Sequence, residues 1–360
     1  MMVNRRDIVV VLPIASVALP RAAWAAEVDP PSRAVFGSTG RIITFGPGQA
    51  NKTIAAALLT AAAGDVVRYP VAEPRGQIFS ESVGVPDGVT LDLGGRLTGG
   101  GTATPSWTAG AILDGTGIAD PAGYVRQMGG VVALGSMLLK GAEVRAFGMQ
   151  ARAAGGTAGL RAAGDTVGHI HVDNCHIHDN QNGIGPGGSR TTITVTNAWL
   201  HDNQLDPTGL CHNIYASNTV TVLIVGPGVT STQPPMPRRG GGHAVKSRAS
   251  NSTQIVGPCY LYSGDASCLD IPDGSAAPCP IGHGVIFVKK AADVNHTVFG
   301  YCAESQINGT AGVHCVGVNI VASCPGPDIL NNGFVSFDAA CRFTGNKPVA
   351  TQPSLVAGIP

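Results

Sequence analysis

The sequence predicts an all-β chain wound as a single-stranded right-handed parallel β-helix, a solenoid of about ten coils with a short N-terminal capping helix. Three observations lead there. Val172–Gln181 and Val195–Gln204 superpose at an offset of 23 residues, with Val172 over Val195, Asn174 over Asn197, Ile177 over Leu200 and the run His-Asp-Asn-Gln in common. Parallel strands that return at such a period without a helix between them can bury their inner faces only against the preceding and following turns. The chain is also rich in Val, Ile, Thr and Asn, carries 50 Gly, and breaks into short runs bounded by Gly, Asn and Asp, a pattern of strands and turns. Finally, one segment alone has helical character. With 360 residues, 44% of them hydrophobic and 13% charged, disorder is excluded and one large core is expected. Lys plus Arg and Asp plus Glu balance at 23 each, so no global field draws the chain to nucleic acid or membrane.

In chain order, Asn4-Arg5-Arg6-Asp7 precedes an apolar run from Ile8 to Leu19 and then Ala23-Trp24-Ala25, a small-x-small cleavage pattern. Residues 1–25 resemble a twin-arginine export signal, which implies a periplasmic or secreted protein. The run is short of the ~20 residues needed to span a bilayer and contains Pro13, and no later run is longer, so no membrane span is expected. Removing the segment takes away Arg5, Arg6 and Arg21 against Asp7 and leaves the remainder slightly acidic. Residues 26–41 read as a linker, 42–345 as the β-helix and 346–360 as a tail. The helix is expected over Thr53–Ala63, with Thr53 as N-cap and Gly64 as stop, placed to cover the open edge of the first coil. Asp65–Tyr69 follows as a strand. Gly94–Gly110 reads as a flexible corner. Gly226–Gly242, rich in Pro and Gly, reads as a loop thrown off the solenoid to wall a binding face.

All nine cysteines lie between Cys175 and Cys341. In an exported chain disulfides are permitted, but an odd count leaves one thiol over. Most are expected to be buried thiols, with any disulfide confined to Cys302, Cys315, Cys324 and Cys341.

Chemistry concentrates after Asp206. The 58 residues between Asp206 and Asp265 contain no acid, yet hold Arg238, Arg239, Lys246 and Arg248. Such a window suggests a groove for a polyanion. In His243–Ala249, period 2 puts Lys246 and Arg248 on the outer face if Val245 and Ser247 point inward. Aligning the inward residues Ile214, Val245 and Leu269 sets Asn213 and Tyr215 on one adjacent coil and Asp270 on the other. Tyr215, Lys246 and Asp270 then form an outer column of unlike groups.

The motifs His212-Asn-Ile-Tyr215, Gly242-His-Ala-Val-Lys-Ser-Arg-Ala249 and Leu269-Asp-Ile-Pro-Asp-Gly274 resemble a family of exported bacterial right-handed β-helix proteins in the pectate-lyase-like superfamily. With Gly46-Pro-Gly-Gln49 and Thr53–Ala57, the resemblance spans roughly residues 42 to 305 of the solenoid-type repeat. It departs at Asp273 and Ser275, where Asn and Gly are usual, and at Tyr301-Cys-Ala-Glu304 in place of Tyr-Gly-Ala-Glu. The relation implies a polysaccharide-acting or polysaccharide-binding role.

A lyase on a uronate-containing glycan must neutralise the carboxylate, take the C5 proton and protonate or release the leaving oxygen. Arg248 suits the first task and Lys246 the second, with Tyr215 or His243 at the leaving oxygen and Asp270 orienting the lysine. Asn213, His212, Arg238, Arg239 and Glu304 are candidate substrate-binding residues. A glycoside hydrolase would use Asp270 with Asp265, Asp273 or Glu304. A binder or surface scaffold would use the groove without chemistry. No cofactor is required, and calcium on Asp265, Asp270 and Asp273 is an option. His178 and His201, each followed by Asp-Asn, are expected to stack at a corner, with a metal set of His178, His201 and Asp179 as the alternative. Trp107 and Trp199 are expected to pack rather than to bind sugar.

Overall fold

The computed structural model describes residues 40–118, 129–148, 157–164, 166–185, 190–203, 211–226, 228–233, 242–263, 266–289, 298–322 and 334–345. The expected signal segment and tail, most of the linker, Arg238, Arg239, Asp265 and Cys324 lie outside them. The described chain is a parallel β-helix with three faces. The first two faces belong to one 19-stranded sheet, because two strands of 12 residues, Val167–His178 and Arg190–His201, run through the corner between them. The third face is a separate sheet of eight parallel strands, from Val83–Val85 to Phe299–Tyr301. The first face extends beyond it at both ends, from Ile42–Thr44 to Val335–Phe337.

The 23-residue repeat is a register of neighbouring coils: Val172 pairs with Val195, Ile177 with Leu200 and His178 with His201. Residues alternating along these strands bury Ile170, Val172, Cys175 and Ile177 over Ile193, Val195, Ala198 and Leu200, which join one continuous apolar core. The corners use polar residues. Asn174 and Asn197 have φ of 53° and 40°, a left-handed conformation that a short amide tolerates, and Asn197 Nδ2 donates to Asn174 Oδ1 at 3.2 Å. Asp179 and Asp202, at φ 52° and 53°, turn the second corner. Behind it Asn180, Asn203 and Asn213 point inward and are fully buried. Asn180 Nδ2 donates to Asn203 Oδ1, Asn203 Nδ2 to Asn213 Oδ1, and Asn213 Nδ2 to Ser231 Oγ, at 2.9, 3.0 and 3.0 Å.

Three expectations are corrected. The helix is shorter, Ile54–Leu58, although Thr53 is its N-cap and accepts from Ala56 N. It stops early because Asp65 Oδ2 accepts from Ala62 N at 2.9 Å and draws the chain into a turn, a side-chain bond that competes with helix. The Glu81 carboxylate accepts from Ile54 N and Ala55 N, and Ile54, Ala57 and Leu58 enter the core.

Gly94–Gly110 is not a flexible corner but contains an antiparallel hairpin, Arg96–Thr98 with Ser106–Thr108. It lies along the Asn corner of later coils: Leu97 N donates to Asn174 Oδ1 and Gly101 N to Thr230 Oγ1. Gly226–Gly242 is not wholly a loop, since Val229–Gln233 is a strand of the second face.

Of the eight described cysteines six are buried and Cys302 and Cys341 partly so. Burial pushes the Cys175 thiol well above its ordinary value and Cys259 up to about 12, so these pack as small apolar groups.

Candidate functional site

The third face carries the column. Tyr215 lies in register with Lys246, Lys246 with Asp270, and Asp270 with Gly300. Val245 and Ser247 point into the coil on either side of Lys246, as do Leu269 and Ile271 beside Asp270, and all four are fully buried. The strands are short, Ile214–Ala216, Val245–Ser247 and Leu269–Ile271, so the chain leaves each strand just after the column and brings Arg248 and Asp273 to the same edge.

Lys246 Nζ lies 2.8 Å from Glu304 Oε1 and 3.5 Å from Asp270 Oδ2. Arg248 donates through one terminal nitrogen to Asp273 Oδ2, at 2.5 Å, and through the other to Glu304 Oε2. One carboxylate, Glu304, is thus held by a lysine at one oxygen and an arginine at the other. Burial opposes the charge on Arg248, but the bonds to Glu304 and Asp273 outweigh it and raise its pKa. Burial likewise opposes ionisation of Glu304, yet Lys246 and Arg248 hold it below its ordinary value. Asp270 goes the other way: burial, aided by the charge of Glu304, lifts its pKa above the ordinary value against the pull of Lys246.

Gly300 makes this arrangement possible. A Cβ there would come within 2.3 Å of Asp270 Oδ1, so the next coil must lack a side chain for the carboxyl to fit. The loop after Tyr301 then folds back, with Glu304 N and Ser305 N donating to Pro272 O, and delivers Glu304 over the column.

His243 flanks Asp270. Ser267 N donates to His243 Nδ1 at 3.0 Å, which leaves the ring proton on Nε2, 3.3 Å from Asp270 Oδ2. His212 Nδ1 accepts from His243 N at 2.9 Å; burial first, and then Lys246 and Arg248, hold His212 down to about 3. Its edge contacts the ring of Tyr215, with centroids 5.2 Å apart.

Several expected roles change. Asp270 is 5% exposed, not an open surface group, because Lys246, His243 and Glu304 crowd it. Asn213 is a rung of the internal amide ladder and His212 supports His243 from within, so neither reaches a groove. Among the described residues the acid-free window is not left basic. Asp270, Asp273 and Glu304 come from the following coils and outnumber Lys246 and Arg248, a neutralisation that a linear window cannot register. Calcium does not fit the two described members of its set. Asp273 is occupied by Arg248 and Ser305, and Asp270 faces Lys246 and His243, so a cation would meet cations and ring N–H groups. Gly300 and the His212–His243 relay are the parts that residue-by-residue reading misses.

Comparison with family models, with curated proteins and with solved structures finds no match to this chain.

Proposed function

We propose that this chain is an exported enzyme acting on a uronate-containing polysaccharide, and that its reaction is a lyase-type β-elimination centred on Lys246. The observation that carries this reading is the single carboxylate held between Lys246 and Arg248. Glu304 is half exposed, with 48% of its side chain accessible, so it can turn aside while a uronate carboxylate takes its place. That exchange substitutes one anion for another and leaves Arg248 paired throughout. With Glu304 displaced, Arg248 clamps the uronate carboxylate and Lys246, in its neutral form, is the base placed to take C5–H. Tyr215, one coil away, and the Nε2–H of His243 supply the donors for the leaving oxygen.

A glycoside hydrolase is the second reading, favoured by one specific observation: burial raises Asp270 whereas the two cations lower Glu304, as an acid and an ionised partner require. Incubation of the mature protein with a panel of acidic polysaccharides separates the cases. A lyase yields reducing ends together with the absorbance of an unsaturated uronate, and a hydrolase yields reducing ends alone. Retention of glycan on the protein without either product overturns both in favour of a binding scaffold.

A further inference from the structure

The second face carries a cluster that the charged column does not use. In the register of neighbouring coils His176 lies opposite Trp199 and His178 opposite His201, with Glu143 and Arg145 one coil earlier. Because Cys175, Ile177, Ala198 and Leu200 point inward, these four rings belong to the outer surface and should be open to water. They are not. His176 and His178 are each 8% exposed, because the hairpin brings Trp107 across them, its ring 5.5 Å from His176 and its Nε1 donating to Glu143 Oε2 at 2.7 Å. Trp199 stacks on His176 at 4.5 Å, and His178 on His201 at 5.0 Å.

The nitrogens converge. His178 Nδ1 lies 2.6 Å from Asp179 Oδ2, and His201 Nδ1 lies 2.7 Å from Asp202 Oδ2. A carboxylate accepts, so each Nδ1 bears the proton and each Nε2 turns a lone pair inward when the ring is neutral. The left-handed corners at Asp179 and Asp202 are what curl each carboxylate back onto the preceding imidazole. His201 Nε2 is 2.7 Å from His176 Nε2. His178 Nε2 is buried without a hydrogen bond; a proton on it would face Glu143 Oε1 at 3.5 Å, too far for a good one. His176 Nδ1 is also buried and unpartnered, so that ring can move its proton to Nδ1 at the expense of the bond to His201 alone. One ligand atom from each of the three residues lies within 4.8 Å of the others.

We propose that His176, His178 and His201 form a binding site for a divalent transition-metal ion of the zinc class, with Glu143 beside its fourth position. Imidazole nitrogens suit such ions. At metal–nitrogen distances of about 2.0–2.1 Å a tetrahedral centre needs ligand nitrogens rather more than 3 Å apart, so His176 and His201 have only to open by a fraction of an ångström. Asp179 and Asp202 stand where outer carboxylates fix the tautomer of ligating histidines. Asp179 is therefore a support and His176 the third ligand, in place of the set drawn from His178, His201 and Asp179. His201, with 16% of its side chain accessible, marks the way in.

The test uses the purified mature chain, stripped with a chelator and titrated with Co²⁺. One equivalent should bind, producing the visible absorption of a low-coordinate cobalt centre and quenching tryptophan fluorescence through Trp199, and Zn²⁺ should displace it. His178→Gln and His201→Gln should each weaken binding on the order of 100-fold, and Asp202→Asn by about 10-fold, with the β circular-dichroism spectrum retained. Absence of binding, or binding unchanged in the histidine variants, overturns the assignment. If a variant fails to fold, X-ray absorption of the zinc-loaded wild type decides: three imidazole nitrogens at about 2.0 Å support the site. Sulfur ligands, or fewer than two imidazoles, refute it.

Discussion

The charged column on the third face and the histidine cluster on the second are built by opposite uses of the same repeat. In the column, successive coils place unlike residues at one position, Tyr215, Lys246, Asp270 and then Gly300. In the cluster, successive coils place like residues, His178 over His201, each followed by an Asp at a left-handed corner. Stacking alone favours the second pattern, so the first stands out in the sequence as a site and the second passes as packing. The difference teaches that similarity along a solenoid does not mark inertness: a repeated imidazole–carboxylate pair becomes a convergent nitrogen cluster once an inserted hairpin closes over it.

The comparison is broken most directly by removing one group from each region. Lys246→Ala is expected to lower turnover of the glycan by about 10²–10⁴-fold, the usual weight of a proton-transfer group, while leaving glycan retention largely intact. His201→Ala is expected to leave turnover as it is. Steady-state kinetics on both variants checks the contrast, and an equal loss from His201→Ala would merge the two regions into one site.

The second contrast is between the interior ladder and the exposed bridge. Asn203 is fully buried and serves both neighbouring amides and Ile177 O. Asn203→Ala removes the bonds that Asn203 makes to Asn180, Asn213 and Ile177 O in a dry interior and is expected to cost about 2–4 kcal/mol. Glu304→Gln breaks ion pairs with one half-exposed member and is expected to cost less than about 1 kcal/mol. Urea unfolding of both variants at constant m-value measures the two costs.

How much of this was legible follows the same line. The coil period, the asparagine corner and the column all lie within a repeat, where one residue's direction fixes that of its counterparts, and each can be read by superposing segments. What escapes such reading arrives from elsewhere in the chain. The hairpin at Arg96–Thr108 acts on coils that follow it by several turns, through Asn174 and Thr230. The carboxylates that neutralise Lys246 and Arg248 lie up to 58 residues beyond the lysine. The inward turn of Asn213 was hidden because the strand begins only at Ile214, so its period-2 phase does not extend back to the asparagine. No periodicity marks Gly300; its requirement appears only when the carboxyl of Asp270 is placed against it.

His212 gives a third, smaller test, since it belongs to the column but lies inside it. Its folded-state pKa of about 3 is below that of an exposed imidazole, so the unfolded chain binds the extra proton first. Stability is therefore present above the unfolded value and lost as the pH falls from about 6.5 toward 3, at up to ~1.4 kcal/mol per pH unit for one group. His212→Asn keeps an acceptor for His243 N without a titrating ring, and should flatten the acid limb of a stability–pH profile by that slope.

Asp270 sharpens the comparison with the opposite sign. Its pKa is raised in the folded protein, chiefly by burial, so the folded state holds the proton more tightly than the unfolded chain does. For an acid this means that stability is greatest while the carboxyl is protonated and declines as the pH rises from the unfolded value, about 3.9, through the raised one. The ionised carboxyl is then a strain on the fold that Lys246, 3.5 Å away, does not fully relieve. Asp270→Asn removes the charge and keeps the shape. It should melt at a higher temperature than the wild type at pH 8 and at nearly the same temperature at pH 4, with turnover reduced because Lys246 loses one of its two carboxylates. Paired melting curves at the two pH values read this directly. A variant less stable than the wild type at pH 8 would mean that the Lys246–Asp270 pair supports the fold, and the column would then join the amide ladder as structure rather than stand apart from it as a site.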